Sequence, residues 1–320
     1  MKSRINARAC ALIACAFIVG SGCSSSGDGD GTQPDSVEPA PTTPPPEPPP
    51  DPMAGRTYRV VTPSGYDGTT PAPLVVMVHQ MWAAETAPED MDEYLGITVE
   101  AEKRGAIVAM PLGTYDDLLG AYMWNATDAC CGYYSKPDDV GFIAGMLAEI
   151  KTDYNIDEKR VFGIGQSNGG FMVHRLACDF SAQFAAIASL SGGVFKDPQR
   201  CLALDRVAVL HVHGTADDQV SYEGGPPFEV PSIPEAPGAE ETAAIWAEKN
   251  GCDPVADTSA EPLDLVEGLA GAETTRSMYA GCVSNGASEL WSVGGGAHTP
   301  LFNETWSPLV FDFLMAHPKP

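Results

Sequence analysis

The chain has 320 residues, 44% of them hydrophobic, which is enough to build one large domain around a substantial core. Its 43 acidic and 18 basic side chains give a formal net charge of −25, and this charge opposes binding to nucleic acid or to anionic lipid headgroups. We therefore expect no nucleic-acid partner, and we interpret the acidity as a surface kept soluble by self-repulsion.

The first 22 residues predict an export signal. Three basic residues within the first eight precede the apolar stretch 9–19, which is too short to span a bilayer. Residues 20–26 resemble a bacterial lipoprotein cleavage site, in which Cys23 is lipidated and becomes the new N-terminus. Ordinary secretory cleavage near the same place is the alternative. Lipid on Cys23 is the membrane attachment that the sequence predicts.

Residues 23–52 predict a disordered stalk. The segment is rich in Ser, Gly and Asp and then in Pro, with almost nothing apolar to bury. Proline favours an extended, semi-rigid chain, which suits a spacer between a membrane surface and a domain. The remaining residues, 53–320, are expected to form one folded domain.

Short apolar runs alternate with helical patterns after residue 53. Runs that are apolar on both sides of the pleat are typical of parallel strands covered by helices on both faces. They lie at residues 74–78, 106–110, 161–164, 186–190 and 207–212. Residues 138–154 have apolar side chains at helical spacing, and Asp138 is placed to cap that helix. The sequence therefore predicts an α/β fold with a mostly parallel central sheet.

Six cysteines fall within residues 53–320, and an even number in an exported chain favours disulfides over a metal site. They are Cys130, Cys131, Cys178, Cys201, Cys252 and Cys282. Cys252 and Cys282 flank one late segment and are predicted to pair, whereas the pairing of the other four stays open. The Cys and His spacings fit no zinc motif, so we expect no metal and no other cofactor.

A glycine-flanked serine predicts a nucleophile. The segment Gly165-Gln166-Ser167-Asn168-Gly169-Gly170 directly follows one predicted strand and precedes a helical run. So sharp a strand-to-helix turn forces Ser167 into a strained conformation, and side chains at the flanking glycines would clash with the neighbouring strand and helix. The turn lifts Ser167 Oγ clear of the sheet.

An acid and a histidine follow Ser167 in the order typical of α/β-hydrolases. Asp217 and Asp218 lie on the loop after the strand at 207–212, and Asp217 is favoured because related enzymes hold the acid three residues after the glycine. His298 follows the glycine-rich residues 294–296 and is predicted to be the general base. The other histidines each have a structural explanation: His79, His174, His211, His213 and His317.

An oxyanion hole needs two backbone N–H groups near the nucleophile. One should come from Asn168, the residue after the nucleophile, and the second from the loop after the first long strand. Within that loop Met81 is the predicted donor, with Gln80 as second choice.

Several separate motifs occur in the same order as in a known family. They are Trp124-Asn125, Cys130-Cys131-Gly132, Asp138-Asp139-Val140-Gly141-Phe142-Ile143, Gly165-Gln166-Ser167-Asn168-Gly169-Gly170, Arg175-Leu176-Ala177-Cys178, His213-Gly214-Thr215-Ala216-Asp217 and Gly295-Gly296-Ala297-His298-Thr299. Together they make most of residues 57–315 resemble the bacterial polyhydroxybutyrate depolymerase and feruloyl esterase family of exported hydrolases. The resemblance implies an α/β-hydrolase catalytic domain over residues 53–320, with Ser167, Asp217 and His298 as a triad.

The resemblance also implies the substrate class, a polymer-linked carboxylic ester. Feruloyl or acetyl esters of plant cell-wall polysaccharide are the leading expectation. A polyhydroxybutyrate-type polyester depolymerase and a non-catalytic, polymer-binding surface lipoprotein are the alternatives. Two departures lie beside the acyl site, because Gln80 replaces the family's usual Gly and Pro300 replaces its common Trp. Trp82 and Trp124 are candidates for contact with the substrate, with core or rim packing as the alternative use.

Overall fold

A nine-stranded sheet forms the centre of the computed structural model, which describes residues 50–130 and 136–320. Pro49–Pro320 group into one compact unit. The predicted signal, Cys23 and the stalk up to residue 49 lie outside the described residues. None of the described helices is both long enough and apolar enough to cross a membrane.

The described residues contain eleven strands, six α-helices and two short 3₁₀ turns. The strands are β1 (Tyr58–Val61), β2 (Ala72–Val78), β3 (Ile107–Pro111), β4 (Thr114–Asp116), β5 (Ala121–Met123), β6 (Ile156–Gln166), β7 (Ala186–Leu190), β8 (Ala208–Gly214), β9 (Ala256–Asp257), β10 (Thr274–Tyr279) and β11 (Ser288–Val293). The helices are α1 (Ala87–Leu95), α2 (Ile97–Arg104), α3 (Asp139–Asp153), α4 (Asn168–Asp179), α5 (Ala239–Lys249) and α6 (Trp306–Ala316), and the 3₁₀ turns are Pro198–Arg200 and Pro227–Glu229.

The strand order of the sheet is β1-β3-β2-β6-β7-β8-β11-β10-β9. The six central strands, β3, β2, β6, β7, β8 and β11, run parallel to one another. Strand β1 pairs antiparallel with β3 at one edge, and β10 and β9 are added antiparallel at the other. In register, Leu74 of β2 lies beside Ile107 on one side and Val161 on the other. The predicted mostly parallel sheet is confirmed, and its parallel strands include every predicted apolar run.

Helices cover both faces of the sheet because its central strands are apolar on both sides. In β2, Leu74, Val76 and Val78 face the core formed with α3, α4 and α5. The alternate residues Val75 and Met77 face a second core formed with α1, α2 and α6. All five side chains are fully buried, so β2 joins the two halves of the core.

Helix α3 begins as the sequence predicted, with the Asp138 carboxylate accepting from the Gly141 N–H at 2.8 Å. The buried Asp139 carboxylate then accepts from Arg56 at 2.7 Å and from the Asn125 N–H at 2.6 Å. Arg56 also lies 4.0 Å from the centre of the Phe142 ring. These contacts attach the chain entering β1 to the start of α3.

Strands β1, β4, β5, β9 and β10 were absent from the prediction. Most residues of β1 and β10 are half-buried, since both strands lie near the sheet's edges, and such strands lack the continuous apolar runs that marked the central ones. The pair β4–β5 forms a separate antiparallel hairpin of three residues on each side.

The disulfides expected from the cysteine count are present. Cys252 and Cys282, the predicted pair, are bonded to each other, and Cys178 is bonded to Cys201. Cys130 is disulfide-bonded as well. Cys131 lies outside the described residues.

Removing the Cys252–Cys282 cross-link should lower stability, because the bond restricts an unfolded chain of 30 residues. The double variant Cys252→Ser/Cys282→Ser should lose about 3–4 kcal/mol of unfolding free energy. For a domain of this size that corresponds to a melting temperature lower by about 10 °C in calorimetry. A melting temperature within about 2 °C of the wild type would contradict a stabilising role for this bond.

Candidate active site

Ser167 sits at the sharp turn between β6 and α4, as the glycine pattern predicted. Its φ of 53° and ψ of −121° place it in a region that non-glycine residues rarely adopt. The surrounding sheet holds the strained residue in place, because the Ser167 N–H donates to the Leu190 carbonyl at the end of β7 at 2.7 Å. Ser167 is half-buried, whereas both of its neighbours are buried.

Two glycines allow this turn to form. A Cβ on Gly165 would lie 2.2 Å from the Gly169 carbonyl oxygen, and a Cβ on Gly169 would lie 2.0 Å from the Val78 carbonyl oxygen. Both distances are far below any contact that a side chain tolerates. Glycine therefore lets the first turn of α4 lie directly against the carboxyl end of β2.

The structure brings Ser167, His298 and Asp217 into one hydrogen-bonded series. Ser167 Oγ lies 2.8 Å from His298 Nε2, and His298 Nδ1 lies 2.8 Å from Asp217 Oδ2. The carboxylate accepts from Nδ1–H, so Nε2 of a neutral ring is left to accept from the serine hydroxyl. This is the arrangement in which imidazole can take the serine proton.

Backbone hydrogen bonds join the loop that carries Asp217 to the loop that carries His298. The Thr215 N–H donates to Val293, the Ala216 N–H donates to Gly296, and the Gly295 N–H donates to the Thr215 hydroxyl. Because strands β8 and β11 are adjacent and parallel, their carboxyl ends deliver the two loops to the same edge of the sheet.

Asp217 is buried, accepts three hydrogen bonds and has a fourth donor close by. The N–H groups of Gln219 and Val220 donate to Oδ1, each at 2.9 Å, and Oδ2 accepts from His298 Nδ1 and lies 3.3 Å from His213 Nε2. Burial acts to raise the pKa of Asp217, but the bonds from His213 and His298 outweigh it and hold the pKa well below its ordinary range. The carboxylate is therefore ionised beside His298.

Asp218, the alternative acid, is exposed and makes no contact with His298. His213 was assigned only a structural role from the sequence, yet it contacts the predicted acid directly. Its position four residues before Asp217 was the available signal, but a sequence does not show how the loop between them turns.

The orientation of the Gln80–Met81 peptide follows from His79. The Gly113 N–H donates to His79 Nε2 at 2.9 Å, and burial lowers the pKa of His79 to about 4, so the neutral ring carries its proton on Nδ1. Nδ1–H donates to the Gln80 carbonyl at 2.5 Å. In a trans peptide the N–H points opposite to the carbonyl, so the Met81 N–H points away from His79.

Asn168 occupies the first position of α4, where a helix N–H has no intrahelical partner. Its side chain is fully buried and pairs with the backbone of Trp124, accepting from the N–H at 2.7 Å and donating to the carbonyl at 3.0 Å. The side chain thus fixes the start of α4, while the backbone N–H stays directed along the helix axis toward its N-terminal end.

The two tryptophans proposed for substrate contact occupy different environments. Trp82 is 45% exposed, and its indole N–H donates to Asp90 at 2.8 Å. Trp124 is completely buried, and its indole N–H donates to the His79 carbonyl at 2.9 Å. Trp124 therefore braces the loop after β2 and has no exposed surface, which fits the core-packing alternative of the sequence analysis.

Ser191 is a residue that the sequence analysis missed. It directly follows β7 with a φ of 52°, is fully buried, and its hydroxyl donates to the His298 carbonyl at 3.2 Å. No motif marks this position, because the contact joins residues 107 apart in the chain. In residues 50–130 and 136–320, no group of three or more His, Cys, Asp or Glu residues is arranged to hold a metal.

Comparisons with known proteins place this geometry in a wider context. No protein-family model matches the chain. Feruloyl esterase B of Piromyces equi is 29% identical over 240 residues, which cover 74% of this chain and 41% of the relative. Feruloyl esterase C of Emericella nidulans is 27% identical over 252 residues, covering 77% of this chain and 78% of the relative. The chain thus spans well under half the length of the first relative.

A solved structure supports the architecture. The acetyl xylan esterase from Aspergillus awamori superposes with a TM-score of 0.58 at 17% identity, covering 82% of this chain and 96% of that one. At this identity the likeness concerns the fold alone. Together with the mostly parallel sheet, it shows that the protein has the α/β-hydrolase fold.

The hydrogen-bonded series of Ser167, His298 and Asp217 predicts that an alkyl fluorophosphonate modifies Ser167. Mass spectrometry of the labelled peptide detects this modification. Asp217→Asn should slow labelling at least about 100-fold, because the amide no longer fixes the His298 tautomer or stabilises the imidazolium. Asp218→Asn is the matched control, and its labelling rate should change less than about tenfold. Circular dichroism checks the fold. Slow labelling of Asp218→Asn alone would move the acid by one residue, and normal labelling of both would remove Asp217 from the series.

Proposed function

We propose that the chain is an exported serine esterase that hydrolyses polymer-linked carboxylic esters, most specifically feruloyl or acetyl esters of plant cell-wall polysaccharide. The observation that carries the proposal is the strained Ser167, with its hydroxyl 2.8 Å from His298 Nε2 and Asp217 behind the imidazole. A serine held in this way is prepared to act as a nucleophile.

In the proposed reaction Ser167 Oγ attacks the ester carbonyl carbon while His298 Nε2 takes the serine proton. Asp217 stabilises the resulting imidazolium through the Nδ1–H bond and does not itself take up a proton. The carbonyl oxygen becomes an oxyanion, which accepts hydrogen bonds from the N–H groups of Asn168 and Met81.

The tetrahedral intermediate then collapses. His298 gives its proton to the departing alcohol oxygen, and the acyl group stays on Ser167 as an ester. A water molecule loses a proton to His298 Nε2 and attacks this acyl-enzyme, and collapse of the second intermediate returns the proton to Ser167 and releases the acid. Each residue ends the cycle in its starting state.

The names of the relatives support the proposed substrate class. Besides the two feruloyl esterases, a bifunctional acetylxylan esterase/xylanase of Neocallimastix patriciarum is 28% identical over 171 residues, which cover 53% of this chain and 22% of the relative. Feruloyl and acetyl groups differ greatly in size, so separate rates on methyl ferulate and on acetylated xylan identify the acyl part.

Export and lipidation of Cys23 are part of the proposal. Disulfides form and persist mainly outside the cytosol, so Cys178–Cys201 and Cys252–Cys282 support export. The anchor at Cys23 rests on the N-terminal sequence alone. An anchored enzyme would act on polymer that touches the cell surface.

Purified protein should hydrolyse methyl ferulate or acetylated xylan with a kcat/KM at least about tenfold above that for hydroxybutyrate oligomers. Ser167→Ala should retain less than about a hundredth of the activity, because the nucleophile is gone, with a nearly unchanged thermal melt. Faster hydrolysis of hydroxybutyrate oligomers would favour the polyester depolymerase. Polymer binding without hydrolysis of any of the three would favour the non-catalytic lipoprotein.

The pH dependence of kcat/KM should show one ionisation on its acid side. Because the pKa of Asp217 is held below its ordinary range, this carboxylate contributes no ionisation to the acid limb. The acid limb should therefore fall about tenfold per pH unit. A limb of twice that slope in a pH-rate series on one small ester would show that a second group must lose a proton.

A further inference from the structure

Three buried histidines lie in a row behind Asp217, none of them part of the proposed chemistry. We call His174, His211 and His213, together with the indole of Trp246, the histidine chain. All four side chains are at most 1% exposed. Burial lowers the pKa of His174 to about 3, and burial together with the two neighbouring rings holds the pKa of His211 well below its ordinary value. These two rings are therefore neutral, with one N–H each.

At one end of the histidine chain, Trp246 determines which nitrogen of His174 carries the proton. An indole N–H can only donate, and Trp246 Nε1 lies 3.0 Å from His174 Nδ1. Nδ1 of His174 therefore accepts, and the single proton of this ring sits on Nε2. The indole and imidazole rings stack with their centroids 6.1 Å apart, which keeps the pair aligned.

At the other end of the histidine chain, the hydrogen bonds run in the same direction, from Nε2–H to the next acceptor. His213 Nε2 lies 2.8 Å from the Val220 carbonyl and 3.3 Å from Asp217 Oδ2, and both of these oxygens are acceptors. His213 Nε2 therefore carries a proton. Its Nδ1 lies 3.1 Å from His211 Nε2, and in a neutral His213 this Nδ1 accepts, so the proton of His211 is on Nε2.

One link of the histidine chain is open. His174 Nε2 and His211 Nδ1 have no hydrogen-bond partner within residues 50–130 and 136–320. His174 Nε2 carries a proton and is a donor, whereas His211 Nδ1 carries none and is an acceptor. The two ring centroids are 5.6 Å apart, against 5.3 Å for the His211 and His213 rings, which are hydrogen-bonded. The two rings are thus adjacent, with a donor on one and an acceptor on the other.

We propose that the histidine chain is a positioning device for Asp217, in which His174 Nε2–H closes the open link to His211 Nδ1, His211 Nε2–H donates to His213, and the Val220 carbonyl and the Asp217 carboxylate share His213 Nε2–H. The proposal rests on the proposed function, since it assigns Asp217 to the orientation of His298. Reversing any one ring would point two donors or two acceptors at each other. The indole of Trp246 thereby selects one direction for the whole row.

The expected effect on Asp217 is mechanical and electrostatic. Oδ2 accepts from His298 Nδ1 and lies 3.3 Å from His213 Nε2, whose proton the Val220 carbonyl also accepts at 2.8 Å, so rotation of the carboxylate would cost the bond to His298 and the contact with His213. The titratable groups around His213 are His211, Asp217 and Tyr222, whose ring meets the imidazole edge-on at 5.8 Å. A neutral His213 would hold the carboxylate without cancelling the charge that stabilises the His298 imidazolium.

The direction of the histidine chain can be read without measuring activity. In the full chain labelled with ¹⁵N at histidine, long-range ¹H–¹⁵N spectra near neutral pH should show His174, His211 and His213 each protonated on Nε2, and His298 on Nδ1. A proton on Nδ1 of His211, or a doubly protonated His213, would overturn the proposal. This result is independent of whether the protein hydrolyses esters.

Trp246→Phe keeps an aromatic ring and removes the donor that sets the direction. His174 should then populate the Nδ1–H tautomer as well, and kcat for a small acetyl ester should fall about three- to tenfold with KM changed less than about twofold. Trp306→Phe is the matched control, since its buried indole N–H has no hydrogen-bond partner in the described part of the chain. Trp306→Phe should keep the wild-type tautomers and kcat.

Equal losses of kcat in the two Trp variants would show that only packing matters and would overturn the proposal. So would altered tautomers in Trp246→Phe with an unchanged kcat. As a further check, His211→Gln offers an acceptor and a donor where His211→Leu offers neither. The Gln variant should stay within about threefold of wild-type kcat and the Leu variant should lose about tenfold or more. An inactive wild type would refute the proposed function and leave the tautomer result standing.

Discussion

The contact between Gly169 and the carbonyl of Val78 is the constraint on which the rest of the site depends. It holds the first turn of α4 against the carboxyl end of β2, at a distance that no side chain permits. The loop at residues 79–82 continues directly from β2, so one backbone contact sets the position of both the nucleophile turn and the loop expected to complete the oxyanion hole. Asn168 repeats the constraint by binding the backbone of Trp124 through its side chain. The arrangement is rigid because it uses backbone atoms of elements that are themselves buried.

The Asp217 carboxylate is surrounded by hydrogen-bond donors, which suits the proposed chemistry. Two backbone N–H groups and two imidazoles stabilise the ionised carboxylate without a lysine or arginine beside it. A lysine or arginine at this distance would compete with the His298 imidazolium for the Asp217 carboxylate, because opposite charges attract strongly where water is excluded. The formal charge of −25 belongs to the whole chain and does not decide the matter, since exposed charges are screened by salt over about 10 Å. What acts on His298 is the single buried charge in contact with it.

The sequence predicted the parts of the fold and site that depend on local pattern. Apolar runs identified the central parallel strands, and the glycines around Ser167 identified the turn, because only a tight backbone approach requires them there. The choice between Asp217 and Asp218 was open, because the two carboxylates are adjacent and only the folded loop directs one toward His298. The buried position of Trp124 and the contact of Ser191 with His298 were beyond sequence reasoning, since both depend on elements far apart in the chain. Strands near the edges, such as β10, were missed for a related reason, as their half-buried residues carry no clear period.

Backbone carbonyls accept the hydrogen bonds that fix the loops at positions 80 and 300, so these bonds do not depend on which side chain stands there. The direction of the Met81 N–H depends on the Gln80 carbonyl, which His79 holds, and not on the Gln80 side chain. A different side chain at position 80 therefore leaves the proposed oxyanion donor where it is. In the same way the Tyr94 hydroxyl donates to the Pro300 carbonyl at 2.6 Å, so this hydrogen bond does not depend on the side chain at position 300. At positions 80 and 300 alike, the hydrogen bond that fixes the loop beside the site is accepted by a backbone carbonyl.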